Sequence, residues 1–169
     1  MQLHFTTCEK NTDWIVGTEN YIIHYNYRHI PEDAWEYNGH YYYVFEKAGV
    51  TNWNDASEYC LSLGGYLATI SDQAENDAIY SQIVKQGYKT AYFGLTESYQ
   101  EKNWQWVTGE PVTYTNWHSG EPNSESSRED FGMFYYKYTD GTWNDGDFES
   151  GTVSGGRTFI CEWGDFANH

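Results

Sequence analysis

Trp53-Asn54-Asp55-Ala56-Ser57-Glu58-Tyr59-Cys60-Leu61-Ser62-Leu63-Gly64-Gly65-Tyr66-Leu67-Ala68-Thr69-Ile70 is the stretch from which the rest of this chain is read. Within it, Trp53, Ala56, Tyr59, Cys60 and Leu63 recur at three- and four-residue intervals, the period of a helix with one apolar face. This spacing predicts a helix that begins at Thr51, buries Cys60 and is stopped by Gly64-Gly65. Tyr66 to Ile70 then reads as a short strand. Ser71-Asp72 offers N-cap oxygens to a second helix running from about Gln73 to Gln86, closed by Gly87.

Beyond Gly87 the pattern changes to short aromatic strands separated by polar turns: Ala91–Leu95, Trp104–Val107, Phe131–Tyr138 and Arg157–Trp163. Two early helices followed by strands make the fold class α+β. Between Thr108 and Arg128 the chain is rich in Gly, Pro, Asn and Ser yet carries many carboxylates. A long loop of this kind inside a domain is more often functional than idle.

Composition narrows the function. The 169 residues suit one domain with a short extension. With 25 acidic and 9 basic residues the formal net charge is -16, which repels phosphate backbones and anionic bilayers. Nucleic acid is therefore not an expected partner. No run approaches the roughly 20 apolar residues of a membrane span, and no secretory leader is read at the N-terminus. The acidic excess is either a solvated surface or a set of oxygen ligands for a hard cation. Aromatic residues form 20% of the chain, which excludes disorder and suits either a β-rich core or a sugar-binding face. Cys8, Cys60 and Cys161 show no C-x-x-C spacing. They allow one bridge plus an odd thiol in an oxidising extracellular setting, or three free thiols inside a cell. The six His are scattered and form no zinc pattern.

The run Trp53-x-x-Ala56-x-x-x-Cys60-x-x-x-Gly64-Gly65-x-Leu67-Ala68-x-Ile70 is followed by Glu75-Asn76 and Phe93-Gly94-Leu95. Glu121-Pro122-Asn123, Glu129-Asp130, Trp143-Asn144-Asp145 and Phe159-Ile160-Cys161-Glu162 complete a series that resembles the C-type lectin domain family in order and spacing. The resemblance covers residues 36–164, leaving 1–35 as an extension or linker and 165–169 as a tail. It implies a C-type lectin-like fold, with two helices flanking short antiparallel sheets and a long calcium-binding loop region. It also implies a Cys60–Cys161 disulfide and a cis peptide before Pro122. Many relatives close the binding region with a second disulfide, at positions held here by Phe131 and Phe148. An aromatic contact could close the same loop. Such economy of cysteine resembles bacterial or simple invertebrate versions.

The oxygen chemistry can be argued beside the resemblance. Calcium takes about 6–8 oxygen ligands, and a protein that supplies only some of them leaves places for water or two neighbouring sugar hydroxyls. Glu121, Glu129 and Asp145 bring carboxylates, and Asn123 and Asn144 bring amide oxygens. Glu121, Asn123, Glu129 and Asn144 can also accept from and donate to a coordinated hydroxyl. Lectins with Glu-Pro-Asn tend toward mannose, glucose, N-acetylglucosamine or fucose, and Gln-Pro-Asp relatives toward galactose. The implied ligand is thus a mannose-type glycan, on a cell surface or in a polysaccharide. The implied setting is extracellular, within a larger protein or an oligomer. An accessory calcium site would draw on Glu97, Glu101 and Asp130, although Ser124 replaces a carboxylate there. The other copy of the tripeptide, Trp53-Asn54-Asp55, opens a helix and is assigned no ligands. The alternative function is a lectin-like domain that binds calcium structurally and recognises a protein or another non-sugar ligand. An enzyme is not expected, because metal coordination accounts for the acids that glycoside cleavage would need.

Overall fold

Two cap-and-stop signals set the helices. In the computed structural model, which describes residues 5–7, 28–100, 102–126, 128–147 and 158–164, α1 spans Trp53–Ser62. Its N-cap Asn52 accepts the Asp55 N–H at 2.9 Å, and Gly64 leaves the helix in the left-handed region at φ 72°. Helix α2 spans Gln73–Lys85, with Asp72 as N-cap accepting the Glu75 N–H at 2.8 Å. Glu75 reciprocates by accepting the Ser71 N–H at 2.7 Å.

In chain order the strands are β1 (Phe5–Thr7), β2 (Ile30–Pro31), β3 (Trp35–Tyr37), β4 (His40–Glu46), β5 (Tyr66–Leu67), β6 (Ala91–Thr96), β7 (Gln105–Trp106), β8 (Phe131–Phe134), β9 (Trp143–Gly146) and β10 (Thr158–Trp163). The main sheet runs β3-β4-β10-β6-β8-β9, with β5 paired to β10 and β7 to β6; β1 and β2 form a separate ribbon. All pairings are antiparallel except β10 with β6, so the sheet is mixed. Two sequence expectations are corrected, and one strand is added. The strand expected over Tyr66–Ile70 ends at Leu67. The one expected over Phe131–Tyr138 ends at Phe134, because Tyr135 to Tyr138 forms a turn closed by the Tyr138 N–H on the Tyr135 carbonyl at 2.9 Å. Strand β4 was not read from the sequence at all: its Tyr41-Tyr42-Tyr43-Val44-Phe45 run has no polar alternation, since the sheet is covered on both faces.

That double cover makes the core. On one face Phe45, Phe159, Cys161 and Trp163 pack with α1 residues Trp53, Ala56 and Cys60. On the other, Tyr42, Val44, Phe93, Leu95, Phe134, Trp143 and Ile160 pack with α2 residues Ile79 and Ile83. Alternate residues of β4 and β10 supply the two faces, as the two-residue period of a strand requires. Gly94 is needed where β6 passes β5, because a Cβ there would stand 2.5 Å from the Leu67 carbonyl oxygen.

The two cysteines expected to form a disulfide meet in the core. Cys60 and Cys161 are both fully buried and side by side, but they are free thiols, with Cys60 hydrogen-bonding Cys161. Burial pushes the Cys161 thiol well up. Packing of α1 against β10 brings the two sulfurs together without the covalent bond. Cys8 lies outside the described residues.

Candidate functional site

The sheet ends at β9, and the chain from Asn116 to His118 covers that edge. Trp117 bridges Trp143 in parallel, the Trp143 N–H reaches the Asn116 carbonyl at 2.8 Å, and the His118 N–H reaches the Trp143 carbonyl at 2.9 Å. Buried Asn76 of α2 fixes the same place from below, accepting Trp143 Nε1–H at 2.7 Å and donating to the Gly141 carbonyl at 3.1 Å. Glu121-Pro122-Asn123 follows directly from this pinned segment, and its Glu121–Pro122 peptide bond is cis.

Asp145, 1% exposed, organises the loops. Its Oδ1 accepts the Asn123 N–H at 3.3 Å and its Oδ2 accepts the Ser124 N–H at 2.7 Å. Asn123 Oδ1 accepts the Glu125 N–H at 2.8 Å, and Glu129 Oε2 accepts the Ser126 N–H at 2.9 Å. Glu121 Oε1 accepts the Tyr138 hydroxyl at 2.6 Å, while its buried Oε2 has no hydrogen-bond partner. The same hydroxyl lies 3.3 Å from Asn144 Oδ1, and Asn144 Nδ2–H donates to the Asp145 carbonyl.

These groups strain against one another electrostatically. Burial pushes the Glu121 carboxyl above its ordinary range; the Tyr138 hydroxyl pulls it down, but the neighbouring carboxylates of Asp145 and Glu129 add to the rise. Glu129 is raised by burial and by Asp145, partly offset by the Ser126 N–H. The Tyr138 phenol is pushed far up by burial and by Glu121.

Of the five residues expected at the principal site, Asp145 holds the Asn123 backbone and the Tyr138 hydroxyl lies between Glu121 and Asn144, but among the described residues no three His, Cys, Asp or Glu side chains are grouped to hold a metal. Asp145 and Glu129 are turned onto backbone N–H groups. The accessory set is less well assembled. Glu97, 5% exposed, spends Oε2 on the Lys102 N–H at 2.6 Å, where the chain turns through φ 61°. The Glu97 N–H bonds the Asp130 carbonyl at 3.0 Å. Glu101 lies outside the described residues, as does Phe148. Phe131 stacks on Trp53 at 5.1 Å. Asp55, in the helical copy of the tripeptide, accepts the Thr51 N–H and hydroxyl, both at 2.7 Å.

Two site residues were not read from the sequence. Tyr138 reaches Glu121 from the turn after β8, and its ring lies on His118 at 3.7 Å and 10°. His118 is held in turn by Thr142 Oγ1 at 2.8 Å from its Nδ1. The only signal was the run Tyr135-Tyr136-Lys137-Tyr138 before the Asp140-Gly141 turn, which reads equally well as strand.

A family profile described as the Lectin C-type domain matches residues 50–163. The chain belongs to the C-type lectin domain family. This C-type lectin domain is 38% identical over 106 residues to a perlucin-like protein of Mytilus galloprovincialis, covering 61% of the chain and 66% of that relative. It is 35% identical over 103 residues to collectin-43 of Bos taurus, covering 60% of the chain but 32% of that protein. The chain thus spans less than two thirds of the length of these relatives, which are animal proteins rather than bacterial ones. Among solved structures it is similar to the cow CD23 C-type carbohydrate-recognition domain, determined in the presence of a GlcNAc2Man3 oligosaccharide. The identity there is 27%, the TM-score 0.65, and the match covers 79% of this chain and 94% of that one. Human lithostathine matches with 25% identity and a TM-score of 0.68, over 80% of this chain and 99% of that one. Among the described residues of this C-type lectin domain, no helix is long and apolar enough to cross a membrane.

Proposed function

We propose that this C-type lectin domain binds glycans in a calcium-dependent manner, gripping vicinal equatorial hydroxyls of mannose, glucose, N-acetylglucosamine or fucose type. Glu121, Asn123, Glu129, Asn144 and Asp145 would hold the ion. The observation that carries this reading is Glu121 Oε2, a buried carboxylate oxygen with no partner, set among the negative charges of Asp145 and Glu129. Such an atom is costly unless a cation or a donor is brought to it. Three carboxylates and two amide oxygens fit calcium, which supplies positive charge and leaves coordination positions open to hydroxyls. Glu121 and Glu129 accept hydrogen bonds while Asn123 and Asn144 donate them, so each acid and amide pair can satisfy one hydroxyl in both directions. The oligosaccharide present with the CD23 domain contains mannose and supports the same sugar class.

Affinity for a single monosaccharide is expected near millimolar, about -4 kcal/mol, because an open site buries little apolar area. Useful avidity then comes from repeated modules or an oligomer in an extracellular setting. The test is equilibrium binding to a glycan panel with calcium and with a chelator. Binding to mannose-type glycans that chelator abolishes is the expected result. A second reading, recognition of a protein or another non-sugar ligand, draws on the engagement of Asp145 and Glu129 with backbone N–H groups. Binding insensitive to chelator, or no glycan binding at all, would select it.

A further inference from the structure

We propose that the Tyr138 side chain is a built-in competitor for the glycan site, its hydroxyl standing where a ligand hydroxyl or the ion must come. The inference rests on the reading above, in which Glu121 and Asn144 belong to that site. The hydroxyl donates to Glu121 Oε1 at 2.6 Å and lies 3.3 Å from Asn144 Oδ1, so one phenol group sits between an acid and an amide. Bridging an acid and an amide is the task assigned to a sugar hydroxyl. Calcium held by both Glu121 oxygens and by Asn144 Oδ1 would take the two oxygens that Tyr138 now faces, and the bond from Tyr138 to the carboxylate would then be given up.

The fold both holds this tyrosine and lets it go. The ring is seated on His118, and the backbone is tied by the Tyr138 N–H on the Tyr135 carbonyl. His118 is anchored at its N–H by the Trp143 carbonyl and at Nδ1 by Thr142. On the outer side Tyr136, Lys137, Thr139 and Asp140 are all exposed, so an outward swing of the half-buried ring gives up its contacts with His118 and Tyr135 and meets no packed residue on that side. The closed position therefore depends on the stack on His118, an edge contact with the Tyr135 ring at 5.5 Å and one charge-assisted hydrogen bond.

The experiment uses the full chain with Tyr138→Phe and, as a second variant that keeps the hydroxyl, His118→Ala. Calcium affinity is measured by calorimetry at neutral pH, and hydroxyl-radical footprinting of the unmutated protein follows Tyr138 with and without calcium. Tyr138→Phe should bind calcium about tenfold more tightly, the size expected when one hydrogen bond to a charged group no longer has to be broken. His118→Ala should shift affinity the same way by a smaller factor, and calcium should increase oxidation of Tyr138. If the unmutated protein binds calcium and both variants bind it equally or less tightly, the competitor role is overturned while the site reading stands. If no form binds calcium, the site reading fails and the competitor role with it.

Discussion

Glu162, fully buried, and Glu121, half-buried with one buried oxygen, are glutamates whose oxygens meet different fates. Glu162 accepts from Tyr66 at 2.7 Å and the Thr69 N–H at 2.8 Å, with His40 Nδ1 at 2.5 Å, so its oxygens are satisfied. Glu121 keeps one oxygen with no partner. The first is a structural strut and the second a candidate ligand, and the difference lies in which oxygens find a donor. Burial pushes Glu162 above its ordinary 4.5, while His40, Thr69 and Tyr66 hold it down and the charge of Glu75 adds to the rise. A carboxyl raised in the folded chain binds its proton more tightly there than when unfolded. Its stabilising contribution is thus complete below the ordinary value and is lost as pH climbs to the raised one. Glu162→Gln should flatten this decline in urea unfolding measured from acid to neutral pH. Its amide can donate toward Tyr66 and His40 while its oxygen keeps Thr69, so the cost at neutral pH should be within about 1.5 kcal/mol. The specificity of Glu121 is tested by Glu121→Gln with Asn123→Asp, which keeps oxygens and charge but exchanges donor for acceptor. Preference on a sugar panel should move toward galactose with calcium still bound; unchanged mannose binding would remove these side chains from the sugar contact.

At the level of elements, the helices were legible because their signals are local. Apolar period, cap residue and terminal glycine all lie within a dozen residues, and α1 and α2 begin and end within about two residues of the expected bounds. Asn52→Ala should cost about 1 kcal/mol in chemical denaturation, since it removes the acceptor for the Asp55 N–H. Strand β6 tests packing instead. Gly94→Ala would drive a methyl into the Leu67 carbonyl and the Val107 side chain, and should cost about 1–3 kcal/mol or prevent folding. The long loop is the element that calcium should order. Protease cleavage between Thr108 and Gly146 should be slower with calcium than with chelator, while the helices resist in both; equal cleavage would mean the ion does not organise the loop.

For the whole molecule, the mixed sheet with α1 on one face and α2 on the other is a frame whose edge strand β9 presents Asn144 and Asp145. The net charge of -16 places that frame under self-repulsion, which any salt relieves by screening. Specific coordination is separable from screening. Calcium at about 1 mM should raise the melting temperature, whereas magnesium or sodium chloride at matched ionic strength should not, because magnesium demands tighter octahedral geometry. Equal stabilisation by all three salts would reduce the acids to a solvated surface.

The sequence by itself determined the α+β class, both helices, the strands β6, β7 and β10, and the order of the site motifs, because periodicity, caps and motif spacing are written locally. Only the tertiary structure decided that β4 is a central strand, since a run buried on both faces carries no alternation to read. It alone placed Tyr138 and His118 against Glu121, for that contact joins a turn after β8 to a loop covering β9, and no local pattern encodes which turn meets which loop. It decided likewise that Glu97 serves its own backbone, and that Cys60 and Cys161 meet as thiols in the core. Residue type tells what an oxygen or a sulfur can do; the partner that reaches it is settled by how the elements pack.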